Sequence, residues 1–297
     1  MNNKNNMKNK KIVVIGLSGE SVFLNIDHLN ENGETIKANL KETEPGGKGY
    51  NQAIALGKLG ADVDFITVLG NDLYSENCIE VLKEHNVKTH VIRKNISSSY
   101  AVIIVDKDAN NNVIVYPGAS DLVEYSDIMR YQKVIDDADI VLLQNEYPDS
   151  VIKEVIEYAY SNGKVIVLNP APKCNFDEDI LKKVKYLTPN EFELTHLKYT
   201  NNIDIICTMG SKGVKYIKSN TIKEFNSYDV EALDTTGAGD IFNAGFCYAL
   251  SKDMKITDAI ELAISTSGYS VMHKGVINAL PNMNDVDNFR KKYNKKK

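Results

Sequence analysis

Residues 140–170 read I-V-L-L-Q-N-E-Y-P-D-S-V-I-K-E-V-I-E-Y-A-Y-S-N-G-K-V-I-V-L-N-P. The first four are an unbroken apolar run, the mark of a strand buried on both faces. Residues 150–161 read as a helix, and 165–168 as a second buried strand. The alternation extends outward in both directions. Toward the N-terminus, 63–69 is a strand, 72–85 a helix and 11–16 the first strand. Toward the C-terminus, 185–187 begins one strand and 203–207 forms another. Two antiparallel pieces, 214–218 and 222–225, and a helix from 257 to about 272 follow. This succession predicts an α/β protein with a mostly parallel sheet covered by helices.

Two stretches break the pattern. V-F-L-N-I-D (22–27) and E-T-I-K-A-N-L (34–40) flank Asn32-Gly33, a hairpin signal. A-V-I-I-V (101–105) and N-V-I-V-Y (112–116) flank the turn D-K-D-A-N-N. That turn is no calcium loop, because Asn111 stands where the glycine is needed and Pro117 where the bidentate Glu is needed. The pattern predicts one domain over 11–291 with a small β flap, about 17–43 and 97–117, and polar tails at 1–10 and 292–297.

A chain of 297 residues, 43% hydrophobic and 25% charged, has the composition of a soluble globular protein. Its net charge of -5 argues against nucleic acid or an anionic membrane as partner. The first ten residues lack the apolar segment of a secretory signal. Cys78, Cys174, Cys207 and Cys247 show neither pairing nor metal-ligand spacing. A reduced, cytoplasmic setting is the expectation.

The polar residues gather at strand ends: Gln144-Asn145-Glu146, Asn169-Pro170, Thr188-Pro189-Asn190 and Thr208-Met209-Gly210-Ser211. In α/β folds this edge of the sheet binds ligands. Two glycine-rich turns open helices. The first, E-P-G-G-K-G-Y-N-Q-A (44–53), offers backbone N–H groups from Gly46 and Gly47 and donors from Lys48 and Asn51. It is not a P-loop, since Lys48 is not followed by Gly-Lys-Ser/Thr. The second, L-D-T-T-G-A-G-D-I-F-N-A-G-F-C-Y-A-L (233–250), sets Asp240 beside a helix start that favours an anion. Two readings of it stand side by side. In one, the turn holds a transferring phosphate and Asp240 takes the proton of an attacking hydroxyl. In the other, Asp240 caps the helix.

Taken together and in order, G-G-K-G-Y-N-Q-A (46–53), L-N-P-A-P (168–172), T-P-N-E-F-E (188–193), T-M-G-S-K-G (208–213) and D-T-T-G-A-G-D (234–240) resemble the ribokinase, or PfkB, family of carbohydrate kinases. The resemblance covers nearly the whole chain. It implies a three-layer α/β/α ribokinase-like core with a small β lid, often used as a dimer contact, and so a homodimer. It implies transfer of the γ-phosphate of ATP to a sugar hydroxyl, D-ribose first, with another pentose, a hexose or a nucleoside as alternatives. By that resemblance Asp240 is the base, with Gly237, Ala238 and Gly239 as its anion hole. Asn190 and Glu193 match the N-x-x-E motif that organises phosphate and, through water, Mg²⁺. Asn190, Thr208, Gly210 and Gly213 fall on nucleotide positions. Gly46, Gly47, Lys48, Asn51 and Glu146 fall on sugar positions, with Ser21 beside them. Asp234, Thr236 and the carbonyls around Gly275 resemble a monovalent-cation site, typically for K⁺.

Two departures accompany the resemblance. Where ribokinases carry an Asn and an Asp after the first strand, counting from Gly16 gives Gly19 and Ser21. Glu20 between them points to the other face of an extended segment. The connection at 195–203 is also short for the family. From another class, a non-catalytic sugar or nucleotide sensor would use the same fold. An intact Asp240 beside its glycine turn discriminates against it.

Overall fold

The computed structural model describes residues 9–107, 111–172, 175–197, 203–219 and 221–296. Among the described residues the strands are β1 Ile12–Ile15, β2 Gly19–Asn25, β3 Leu40–Gly46, β4 Val63–Leu69, β5 Lys88–Arg93, β6 Ser99–Val105, β7 Asn111–Tyr116, β8 Ile140–Gln144, β9 Val165–Asn169, β10 Tyr186–Leu187, β11 Asp204–Thr208, β12 Val214–Lys218 and β13 Thr221–Phe225. The α-helices among them are α1 Lys48–Leu59, α2 Leu73–Glu84, α3 Tyr125–Met129, α4 Gln132–Asp137, α5 Asp149–Ser161, α6 Glu178–Leu181, α7 Glu191–His196, α8 Ala238–Ser251, α9 Ile256–Ser270 and α10 Met283–Lys292.

A nine-stranded sheet runs β13-β12-β11-β10-β9-β8-β1-β4-β5. It is parallel from β5 to β11, and β12 and β13 continue it antiparallel. Strict alternation of side chains along a strand buried on both faces builds two cores. Ile12 and Val14 of β1 pack with Ile54 of α1, Phe242 and Phe246 of α8 and Ile260 of α9. Val13 and Ile15 pack on the other face with Ile152 and Ile156 of α5, Ile128 of α3 and Ile135 of α4. These are the three layers of an α/β/α fold. Each such side chain, fully buried, contributes about 1.5–3 kcal/mol.

The flap is a separate four-stranded sheet, β3-β2-β6-β7. Its β6–β7 hairpin matches the sequence expectation, although 108–110 of its turn lie outside the described residues. The expected hairpin around Asn32-Gly33 does not form. β2 pairs with β3, which is Leu40–Gly46 rather than 34–40, in a register that sets Gly19 opposite Gly46 and Ser21 opposite Glu44. Gly33 turns at φ 85° inside a long loop, and Asn39 N–H closes that loop onto the Asn25 carbonyl at 2.7 Å. Lys41, Glu42, Thr43 and Glu44 lack the apolar alternation of a half-buried strand, so pairing with β2 decides their conformation against local propensity.

The C-terminal residues also depart from the expected solvated tail. Tyr228 and Lys295 form an antiparallel bridge, Lys296 N–H donates to the Ser227 carbonyl at 2.8 Å, and Lys295 pairs with Glu261 of α9. The shortened connection falls mostly on 198–202, outside the described residues.

Far from the polar strand ends, toward the N-terminal end of β4, lies a buried ion cluster. Asp64, 3% exposed, has Lys11 Nζ at 2.9 Å and His90 Nε2 at 2.6 Å. Burial works to raise its carboxyl. The hydrogen bonds and charges of His90 and Lys11 outweigh that and hold it below the usual carboxylate range.

Candidate active site

The C-terminal ends of the parallel strands bring the two glycine-rich turns together. Gly237 is the N-cap of α8 at φ 70°, in the left-handed region that favours glycine. A Cβ there would lie 2.9 Å from Val276 Cγ2. The helix begins at Ala238, so Asp240 lies in its first turn. The N-cap is Gly237 and not Asp240, and it makes no side-chain capping hydrogen bond. The capping alternative for Asp240 therefore fails. Its carboxylate turns instead toward α1, where it accepts from Asn51 Nδ2 and Gln52 Nε2, each at 3.0 Å. Ala238 N–H closes the turn onto the Thr235 carbonyl at 3.2 Å. The N–H groups of Gly239 and Asp240 have no intrahelical partner and stand at the open helix end.

The other turn delivers Gly46, Gly47, Lys48 and Asn51. Gly47, at φ 105°, is the N-cap of α1, and a Cβ there would lie 2.7 Å from the Leu17 carbonyl oxygen. The N-terminus of α1 is capped from a distant strand end. Glu146 accepts from Lys48 N–H at 3.0 Å and Gly49 N–H at 3.1 Å. Lys48 reaches in among Asp240, Glu146 and Glu193. Asp240 above all holds its ammonium above the ordinary lysine range, against burial. Burial pushes the Glu146 carboxyl up to about 7, although Lys48 and the two amides pull the other way.

That shift has a thermal consequence. An acid whose folded pKa lies above its unfolded value destabilises the fold increasingly as pH rises between the two. Glu146→Gln removes the charge and keeps an acceptor for α1. Its melting temperature relative to the wild type should therefore become more favourable from roughly pH 5 to pH 8. Thermal melts at both pH values check this; a difference independent of pH would contradict it.

Asn190 and Glu193 form a reciprocal capping box at α7: Asn190 Oδ1 accepts Glu193 N–H at 2.8 Å and Glu193 Oε2 accepts Asn190 N–H at 2.9 Å. Glu193 is raised by burial and feels Lys48 and Asp240, so its carboxyl faces the site. Among the described residues no group of three or more His, Cys, Asp or Glu forms a metal cage.

Asp234 ties two loops together, accepting from Thr236 N–H and Gly275 N–H, each at 2.9 Å. Burial opposes its charge, but these donors prevail and keep the carboxyl below the usual range. Burial raises the carboxyl of Glu44 of β3, which lies beside Gly275, so the flap touches the same loop. Between them is a cavity of about 510 Å³ lined by Phe23, Glu44, Asp234, Lys274, Gly275 and Asn278. A second cavity, of about 310 Å³, lies at the start of α8. Thr208, Gly210, Gly213, Ala238 and Gly239 all line it.

The two turns set Asp240 among Asn51, Gln52 and Lys48, with the smaller cavity at the start of its own helix. The family model for pfkB family carbohydrate kinases matches residues 9–283. The chain belongs to the pfkB family of carbohydrate kinases. Among its relatives is the ribokinase of Bacillus subtilis, 32% identical over 288 residues, covering 94% of this chain and 98% of the relative. The crystal structure of ribokinase from Thermotoga maritima superposes with a TM-score of 0.87 at 32% identity, covering 95% of this chain and 99% of that one. Arabidopsis thaliana ribokinase, solved in complex with ribose and ATP, superposes with a TM-score of 0.83 at 26% identity, covering 95% and 99%. The kinase shares their three-layer core and β lid.

Sequence reading missed several members of this site. Val230, Ile264, Gly268, Val271 and Lys296 line the smaller cavity but come from a loop, a helix flank and the C-terminal tail. Nothing in their spacing distinguishes them from core or surface residues. Gln52 was also missed, and it did leave a signal: a polar residue directly before the apolar run Ala53–Leu56 of α1, and it is 0% exposed. At the expected sugar positions, Ser21 stands on the inner face of β2 beside Gly46, and Gly19 packs on Ser99. Glu20 lies on the opposite side, toward Tyr74 and Cys78 of α2.

Proposed function

We propose that this ATP-dependent sugar kinase is a ribokinase, transferring the γ-phosphoryl group of ATP to D-ribose to give ribose 5-phosphate and ADP. The observation that carries the reading is Asp240: buried, released from capping, and set between the Lys48–Asn51–Glu146 compartment and the helix end that faces the smaller cavity. The acceptor lies over the first compartment, with its hydroxyls toward Lys48, Asn51, Glu146 and Ser21. The nucleotide lies in the second, along Thr208, Gly210 and Gly213, with its purine against Val230, Ile264 and Val271. Asp240 takes the hydroxyl proton as the new O–P bond forms and the bond to the β-phosphate oxygen breaks. A positioned carboxylate base contributes about 10²–10⁴-fold. The Gly237–Gly239 turn and the first N–H groups of α8 stabilise charge on the passing phosphoryl group.

Glu193 fits a Mg²⁺ role through water, since the Asn190 amide engages Oε2 and the other oxygen stays available. The ion would neutralise phosphate charge. The loop pair joined by Asp234 fits a monovalent cation held by Thr236 and the carbonyls around Gly275. Turnover is expected to be several-fold faster in K⁺ than in Na⁺ at equal ionic strength; equal rates would remove that site from the account. A homodimer through the lid is supported by the apolar edge strand β7, whose Val113, Ile114 and Val115 are all exposed.

Gly19 and Ser21 favour a second reading of the acceptor. They offer no side chain and one hydroxyl where a carboxylate would grip two sugar hydroxyls, and such losses change discrimination. The alternatives are another pentose, a hexose or a nucleoside. ADP release measured against a panel of these with D-ribose decides. Highest kcat/KM for ribose supports the proposal, a better acceptor replaces it, and turnover with none supports the sensor.

A further inference from the structure

Gln52 is fully buried, yet no step above uses it. Its Nε2 lies 3.0 Å from Asp240 Oδ1 and 3.3 Å from Asn169 Oδ1, and its Oε1 lies 2.6 Å from Gln144 Nε2. The orientation of this amide is dictated from the backbone. Asn169 Nδ2 donates at 3.0 Å to the Thr188 carbonyl, an atom that only accepts. Asn169 must therefore turn its oxygen to Gln52, and Gln52 must answer with its nitrogen. The remaining oxygen of Gln52 then requires a donor, which Gln144 supplies from the end of β8. Reversing Gln52 would set oxygen against the Asp240 carboxylate and the Asn169 oxygen, and nitrogen against Gln144 Nε2.

A carboxylate base has two equivalent oxygens and a soft torsion, so something must choose which oxygen meets the substrate. Asn51, one of the acceptor-side residues, donates to Oδ2. We propose that Gln52, its polarity locked by Gln144 and Asn169, is a positioning residue that anchors Asp240 Oδ1 and so presents Oδ2 to the acceptor hydroxyl. The inference rests on the reading of Asp240 as base. Buried donors to a charged acceptor are the strong class of hydrogen bond, and both polar atoms of Gln52 are paired, whereas Gln144 Oε1 and Asn51 Oδ1 have no hydrogen-bond partner among the described residues.

The test is a double-mutant cycle on kcat, with Gln52→Met, Gln144→Met and the double variant, assayed with ATP and the acceptor that wild type turns over best. Asp240→Asn runs alongside, so that failure of the base assignment shows up separately. Gln52→Met should lower kcat about 10- to 100-fold, with KM for both substrates within about twofold. Gln144→Met, which never touches Asp240, should lower the same parameter by less. The double variant should be no worse than Gln52→Met, because Gln144 acts only through Gln52. A kcat within twofold of wild type for Gln52→Met, or multiplying effects in the double variant, overturns the proposal. Should Gln52→Met fail to fold, Gln144→Met decides by itself: an unchanged kcat, or a loss confined to KM and melting temperature, overturns it.

Discussion

Asp240→Asn should lower kcat by about 10²–10⁴-fold while ATP still binds. The change keeps the volume of the side chain but removes its negative charge and turns one acceptor oxygen into a donor nitrogen. The smaller cavity, proposed to hold the nucleotide, is walled by Thr208, Gly210, Gly213 and residues of α9, and Asp240 is not part of its lining, so nucleotide affinity should be retained. The substitution has a structural cost, because Asn51 and Gln52 both donate to Asp240 and one of them will face an amide nitrogen. A buried donor left unpaired costs about 1–3 kcal/mol, which a domain of this size tolerates. Steady-state ADP release and calorimetric titration with ATP give the two readouts. A kcat within threefold of wild type would remove Asp240 from the base role. Lost ATP binding would mean that Asp240 builds the site and does not act in it.

The second large effect lies far from the chemistry. Asp64→Ala should destabilise the fold by about 3 kcal/mol, the lower end for breaking a buried pair, because Lys11 and His90 both reach solvent. On the order of 5–10 °C in melting temperature would be lost. The Asp64 carboxyl is held below its ordinary range, so its contribution is present above the unfolded pKa and is lost as pH falls through the folded one. The gap between wild type and variant should thus close in acid. Melts at neutral pH and near pH 3 test this, and a pH-independent gap would show that Asp64 matters through packing alone.

The sheet was legible because its strands are short apolar runs, and both faces of β1 are buried, as an unbroken run demands. The lid was legible only in part. β6 and β7 alternate or run apolar, whereas β3 is charged and is a strand only because β2 supplies its ladder. Asn32-Gly33 gave a true turn signal inside a loop, and local turn chemistry cannot reveal that the flanking pieces do not pair.

The candidate site divided along the same line. Residues in glycine-bounded motifs were legible as candidates, because the motif carries its own geometry. Residues that reach the site by packing were not, as with Lys296 and the α9 wall. Asn190 and Glu193 show a motif with two sufficient explanations: the capping box accounts for the pair locally, and the nearby Lys48 and Asp240 give it a place in the site. Gln52 lay between, since a polar residue in an apolar helix announces a partner without naming it.

The most direct test of the account follows ATP and D-ribose by ³¹P NMR in the presence of the protein, Mg²⁺ and K⁺. The γ-phosphate signal should be replaced one for one by ADP and a phosphomonoester coupled to the C5 protons of the sugar. Release of ADP with inorganic phosphate only, or no loss of ATP, would contradict it.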